Sequence, residues 1–529
     1  MGVAFEPEPE SRASSFLCAL MGMAVLGYYY WASLPKAARL PLINPPKRFE
    51  LTTGRVRKEW LVRARQIIQQ GVERFPRKPF NMIGADVGLT TILPPEYANE
   101  IRNEPNLSFV AFMAHLFFSE LPGFEPTKEG MFDNDIGIVV IQKWLTQGLA
   151  RMTRPLSEEA DFALSKVYTD SEEWHEVNAK DVNLDVVARL SSRIFLGEEL
   201  CRNEDWLRIT VSYAVDIMVA AERLRRVPGP LRRYVHWFMP EAQKLRREVK
   251  QAANIIRPVL ERRRAEKKAF QVQGKEAAAY NDAIEWFEQA AQAKGCSYGP
   301  EIVQLFLSTV AIHTTSDLLT VTLLDLVRHP DVVEALREEI TSVLSEGGWQ
   351  KTSLHNMKLL DSVIKESLRL KPIAVVSMRR VATADVNLSD GTHLPKGTKL
   401  AVSSHRMWDA SVYERPDEWD GRRFLRLRER QGEEGSSSED KSAAREALFV
   451  TTSERHLGFG HGKHACPGRF FASSELKVAL CHILLKYDLS LPAGAGPPRH
   501  RYAGASYYAD PAATVLIRRR REHVDLAKF

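Results

Sequence analysis

The sequence predicts a mainly α-helical protein with small β-sheets, one large domain preceded by a single N-terminal transmembrane helix. Three observations predict it. Apolar residues recur at helical spacing over most of the chain; β-like runs are few and short; and the 21 residues 14–34 carry no charge.

Helical periodicity covers 60–74, 182–195, 206–226, 240–270, 300–328, 330–344 and 357–370. Several of these begin at Pro240, Pro300 or Pro330, where proline suits a first turn. The β-like runs are 386–388, 399–403 and 514–518, broken by turn residues such as Asp390-Gly391. No repeat or glycine-serine linker divides the body, so 51–529 reads as one domain. The serine-rich, charged stretch 428–445 reads as a flexible surface insertion, and Arg518 to Arg521 as a solvated run.

At about 1.5 Å per residue, 14–34 reaches roughly 30 Å, the thickness of a bilayer's hydrocarbon core. Glu6, Glu8 and Glu10 precede it and Lys36, Arg39, Lys47 and Arg48 follow, which places the body in the cytosol and 1–13 in the lumen. The stretch is long for a signal peptide and lacks a basic n-region. Pro35, Pro41, Pro45 and Pro46 make 35–50 a stiff, proline-rich linker.

Composition narrows the function. A formal charge of +6 against 73 basic and 67 acidic residues argues against nucleic acid as a partner. Five scattered cysteines (Cys18, Cys201, Cys296, Cys466 and Cys481) form no C-x-x-C pair, which argues against a disulfide framework or a zinc site.

The informative cysteine is Cys466, in Phe459-Gly460-His461-Gly462-Lys463-His464-Ala465-Cys466-Pro467-Gly468-Arg469, ahead of a helix-compatible run. Backbone N–H groups and a helix N-terminus stabilise thiolate over thiol, while Gly462 and Gly468 permit close backbone approach to a flat ligand and Phe459 shields the sulfur. Upstream, Glu366 and Arg369 share a helix face, and Arg423 precedes Phe424 in a Pro- and Trp-containing segment. Inside the apolar helix 300–328 lies Ala311-Ile312-His313-Thr314-Thr315-Ser316, where paired mid-helix threonines are unfavourable for propensity.

Taken together, F-x-x-G-x-x-x-C-x-G, E-x-x-R and this threonine segment, in this order, resemble the cytochrome P450 family. The resemblance implies haem b with Cys466 as axial ligand to iron, and a buried Glu366, Arg369 and Arg423 lock behind it. It further implies Thr314 in proton delivery during oxygen activation, and Arg380 as a propionate ligand with Arg379 as its near competitor. Two departures stand out. His464 replaces the family's usual arginine and would itself donate to a propionate, and His313 replaces the usual acid, making a histidine-water relay the conjecture. Trp144 is followed four residues on by Gly148, so the W-x-x-x-R propionate contact is unassigned.

The implied function is a monooxygenase in the endoplasmic reticulum membrane, using O2 and electrons from NADPH-cytochrome P450 reductase. Segments 109–118, 373–376 and 502–508 match pocket-lining positions and imply a hydrophobic small-molecule substrate. The Ala-Ile-His-Thr-Thr-Ser variant resembles fungal members of terpenoid and indole-terpenoid secondary metabolite biosynthesis, including the ent-kaurene oxidase-like group. Two other functions keep the cysteine: a haem-thiolate isomerase or dehydratase that does not use O2, and a non-catalytic haem-binding protein.

Overall fold

The structure is a computed structural model that describes residues 21–22, 38–50, 52–129, 136–275, 279–430, 437–522 and 524–528. The expected lumenal tail 1–13 and, apart from Met21 and Gly22, the expected anchor 14–34 lie outside the described residues.

The longer helices are α1 (Gly54–Arg74), α2 (Phe109–Phe117), α3 (Leu149–Val167), α4 (Ala179–Leu200), α5 (Glu204–Arg225), α6 (Pro240–Val272), α7 (Ala283–Lys294), α8 (Pro300–Leu326), α9 (Pro330–Gly347), α10 (Lys358–Leu370), α11 (Arg423–Glu429), α12 (Ser438–Glu446) and α13 (Arg469–Lys486). Their starts follow local chemistry. Ser108, Asn178, Asn203 and Asp282 each accept a backbone N–H from the first turn that follows, and α6, α8 and α9 open on proline. Five of the helices, α2, α3, α7, α11 and α12, lie outside the stretches that periodicity covered. Pro155 interrupts the pattern of α3 from within, and α12 is a helix capped by Ser437 where the sequence suggested a flexible insertion. Residues 431–436 of that insertion lie outside the described ones.

The strands are β1 (Phe80–Ile83), β2 (Leu89–Leu93), β3 (Leu107–Ser108), β4 (His175–Asn178), β5 (Val376–Ala382), β6 (Val386–Asn387), β7 (His393–Leu394), β8 (Lys399–Ser403), β9 (Tyr487–Ser490), β10 (Arg501–Ala503), β11 (Ser506–Tyr508) and β12 (Thr514–Arg519). A five-stranded sheet runs β1-β2-β8-β5-β3, a second runs β4-β12-β9, and β10-β11 and β6-β7 are two-stranded ladders. The described part of the expected stiff, proline-rich linker, from residue 38 on, is docked on the first sheet. Ile43 donates its N–H to the Asn81 carbonyl at 2.9 Å, Asn81 returns one to Pro41 at 2.8 Å, and Ala38 is buried.

The helix α8 passes through the core against α4, α5 and α6. Among the described residues it alone is long and apolar enough to cross a membrane, but most of that apolar stretch is buried inside the protein, which makes it a core helix. Its burial is interrupted at 309–311 and at His313 and Thr314, with Val310 46% exposed. The helix α13 packs on it, and the loop carrying Cys466 leads directly into α13.

Candidate functional site

The loop before α13 is a built turn. Cys466 N–H donates to the Phe459 carbonyl at 2.8 Å, closing residues 459–466 into a bracket, and Gly460 and Gly462 take φ of +70° and +77°. Gly462 is required by a neighbour in the protein. A Cβ there would fall 2.3 Å from Arg102 Cβ, and Lys463 N–H bonds the Arg102 carbonyl and Asn103 Oδ1. Gly468 lies beside the sulfur, 4.0 Å from where its Cβ would stand. Phe459 meets Phe449 edge-on at 5.2 Å between ring centroids.

Burial pushes the Cys466 thiol up, and the N–H groups of Gly468 and Arg469 with the Arg469 guanidinium pull it back toward thiolate. Arg469, to which the sequence pattern gave no role, also belongs to this turn. Its Nη1 donates to the Cys466 carbonyl at 2.6 Å and its Nε to Val450 at 3.0 Å, pinning the turn. Its place three residues after the cysteine was the available signal.

Beneath the loop, Glu366 and Arg369 are both 0% exposed. Arg369 donates Nε and Nη2 to the two Glu366 oxygens at 2.8 and 2.9 Å, and Arg423 donates Nε to Oε1 at 3.0 Å. The remaining guanidinium hydrogens reach the carbonyls of Met407, Pro416, Glu418, Glu414 and Arg415. The network thus fastens α10 to the segment that enters α11.

The strand β5 separates the two arginine candidates. Its pairing with β8 shifts between Ser377 and Arg380, and buried Met378 takes φ +49°. Arg379 faces Asp86 at 4.0 Å, whereas Arg380 is 2% exposed beside the Phe109 ring. Arg380 Nη1 reaches only its neighbour's carbonyl and Nη2 has no partner, while burial lowers its pKa to about 10. His464 packs on the same Phe109 ring, its pKa lowered to about 4 by burial and by the charges of Arg380 and Lys463. A buried guanidinium without a counter-ion, next to a neutral imidazole, fits a ligand that brings carboxylates. Haem, with its two propionates, is such a ligand.

On α8 the two expected residues point to different partners. Thr314 Oγ1 donates to the Val310 carbonyl at 3.0 Å and has the Ala311 carbonyl at 3.3 Å. His313 donates from Nε2 to the Val211 carbonyl of α5 at 3.0 Å, and burial lowers its pKa, so the ring is neutral at physiological pH. The expected pocket segments come together in part. Val375 and Tyr507 N–H groups bond the carbonyls of Ala505 and Ile373, and Phe109 opens α2 beside Arg380.

The helical fold, the cysteine turn and the carboxylate-seeking cradle define a haem-dependent oxidoreductase. The chain belongs to the cytochrome P450 family, whose model matches residues 139–504. It is 68% identical to cytochrome P450 monooxygenase hepE of Aspergillus oryzae over 97% of this chain and 91% of that protein. It is 43% identical to cytochrome P450 monooxygenase adrA of Penicillium rubens over 96% of this chain and 97% of that one. Its fold matches the crystal structure of the cytochrome P450DA heme domain with a TM-score of 0.68 at 18% identity, covering 92% of this chain and 99% of that one. The protein is therefore a haem-thiolate monooxygenase that oxidises a small molecule with electrons from a redox partner.

Proposed function

We propose that the chain is a membrane-anchored monooxygenase of secondary metabolism that oxidises a terpenoid or indole-terpenoid intermediate, with Cys466 as the axial ligand to haem iron. The observation that carries this reading is the Cys466 turn, whose sulfur is approached by two backbone N–H groups and held at the start of α13. Haem bound there supplies dioxygen activation, which a thiolate ligand promotes.

Residues of the chain do the rest. The Gly468 and Arg469 N–H groups hold the charge on sulfur. Arg380 and His464 receive the propionates. Thr314 gives its O–H to the Val310 carbonyl, which leaves its oxygen as an acceptor able to order a proton-carrying water. Apolar side chains from 109–118, 373–376 and 502–508 orient the substrate, and the resemblance of Ala311 to Ser316 to the terpenoid-oxidising group supports its class. The segment 14–34 anchors the protein in the endoplasmic reticulum with the catalytic domain facing the cytosol, where NADPH-cytochrome P450 reductase supplies electrons.

The test is spectroscopic. Reduced protein under carbon monoxide gives the red-shifted Soret band of thiolate ligation, and Cys466→Ala loses it. An unchanged band in that variant overturns the assignment. Oxidation of terpenoid over unrelated apolar probes by microsomes containing protein and reductase tests the substrate class.

A further inference from the structure

The helix α5 is held from two sides. On one, His313 of α8 bonds the Val211 carbonyl. On the other, Ser212 Oγ donates to Glu248 Oε1 of α6 at 2.7 Å, Asp216 stands beside the same carboxyl, and Lys244 Nζ lies 2.5 Å from Asp216 Oδ2. Glu248 is 3% exposed, and its Oε2 is buried without a hydrogen-bond partner. A carboxylate left so, against a second carboxylate, is strongly disfavoured, and one proton between the two relieves both the repulsion and the missing bond.

Next to this seam α5 presents Val215, Met218 and Val219, each exposed, in a stripe beginning one turn after the residue that His313 holds. Val310 of α8, one turn before Thr314, is likewise exposed. The seam therefore sets how closely an apolar face of α5 sits over the part of α8 where burial is interrupted.

We propose that Glu248 and Asp216 share a proton that seats α5 on α6, and that these two positioning residues govern the access of bulky substrates to the incompletely buried stretch of α8 around Val310 and Thr314. The proposal rests on the reading of that stretch as part of the substrate site.

Burial, and after it the Asp216 carboxylate, push the Glu248 carboxyl up to about 7, against Ser212 and Lys244, which lower it. The charged groups around it are Asp216 on α5, Lys244 and Arg247 on α6 and, beyond the Tyr213 hydroxyl, Glu125. A carboxyl raised above its ordinary 4.5 holds α5 most firmly below that value, and the hold is lost as pH rises through about 7.

The experiment follows the association of N-methylimidazole and N-dodecylimidazole with full-length, haem-loaded protein by stopped-flow Soret absorbance. The two rings ionise alike, so the ratio of their rates cancels the ligands' own titration. In the unchanged protein the dodecyl-to-methyl ratio rises roughly threefold to tenfold between pH 6 and 8. Glu248→Gln keeps an acceptor for Ser212 and a permanent donor to Asp216, and holds the ratio low and flat; Glu248→Ala holds it high and flat. A ratio independent of pH in the unchanged protein, or an unaltered pH profile in Glu248→Gln, overturns the proposal. So does a variant that changes both probes alike, an outcome that leaves the haem-site reading standing. Asp216→Asn interrogates the seam from the α5 side if a Glu248 variant loads no haem: a flattened profile supports the proposal and an unchanged one overturns it.

Discussion

Glu366 and Glu248 are both buried glutamates, yet their surroundings differ in kind. Each oxygen of Glu366 receives N–H donors, three from two arginines and one from the Asp420 backbone. Glu248 receives one hydroxyl, faces a second carboxylate and leaves one oxygen without a partner. A buried charge with full coordination fixes the elements it joins, and one with partial coordination makes their docking depend on a proton. Behind the cysteine loop the protein is a scaffold; across α5 it is adjustable.

The sharpest way to break this comparison is Glu366→Ala. It strands two buried guanidinium groups, and losing one partner of such a network destabilises by about 3–5 kcal/mol. Expression should yield little haem-loaded protein, and thermal unfolding of what remains should begin far lower. A normal melting temperature and haem content would put Glu366 in the same class as Glu248.

Arg380→Met tests the cradle on β5. Its guanidinium is buried and short of partners, so the haem-free protein should melt at or above the unchanged temperature. Haem transfer to an acceptor such as apomyoglobin should be roughly tenfold to a hundredfold faster, the range of one lost charged hydrogen bond at about 1.5–3 kcal/mol. Unaltered transfer would assign the propionates to other donors.

Thr314→Ala should retain haem and substrate binding while diverting reducing equivalents to peroxide, read as product formed per NADPH consumed. Full coupling would remove Thr314 from proton delivery. The smallest effect is expected for His313→Ala, a loss of about 1 kcal/mol of docking between α8 and α5. Because burial lowers the ring's pKa and its N–H is committed to Val211, the change in coupling should be flat from about pH 7.5 to 8.5. A pH-dependent loss would restore the relay that the sequence first suggested.

Legibility in the sequence followed distance along the chain. The Cys466 turn and the Glu366/Arg369 pair are short-range patterns, and most helices read from periodicity lie within a few residues of their observed bounds. The resemblance favoured Arg380 over Arg379, but side-chain pattern alone could not separate them, because adjacent strand residues face opposite ways and the side each takes depends on register and on the left-handed turn at Met378. The sequence exposed His313 as a departure, but its direction was decided by α5, whose Val211 lies 102 residues away.

By itself, then, the sequence determined the helical class and the family resemblance and singled out the candidate haem-site residues, since each is a local pattern of spacing and side-chain type. The tertiary structure decided which arginine is buried without a counter-ion, where His313 gives its proton, and that Ser212, Asp216 and Glu248 meet. Those outcomes depend on how separate helices and strands pack, and desolvation, which makes a partner compulsory, arises only once they have packed.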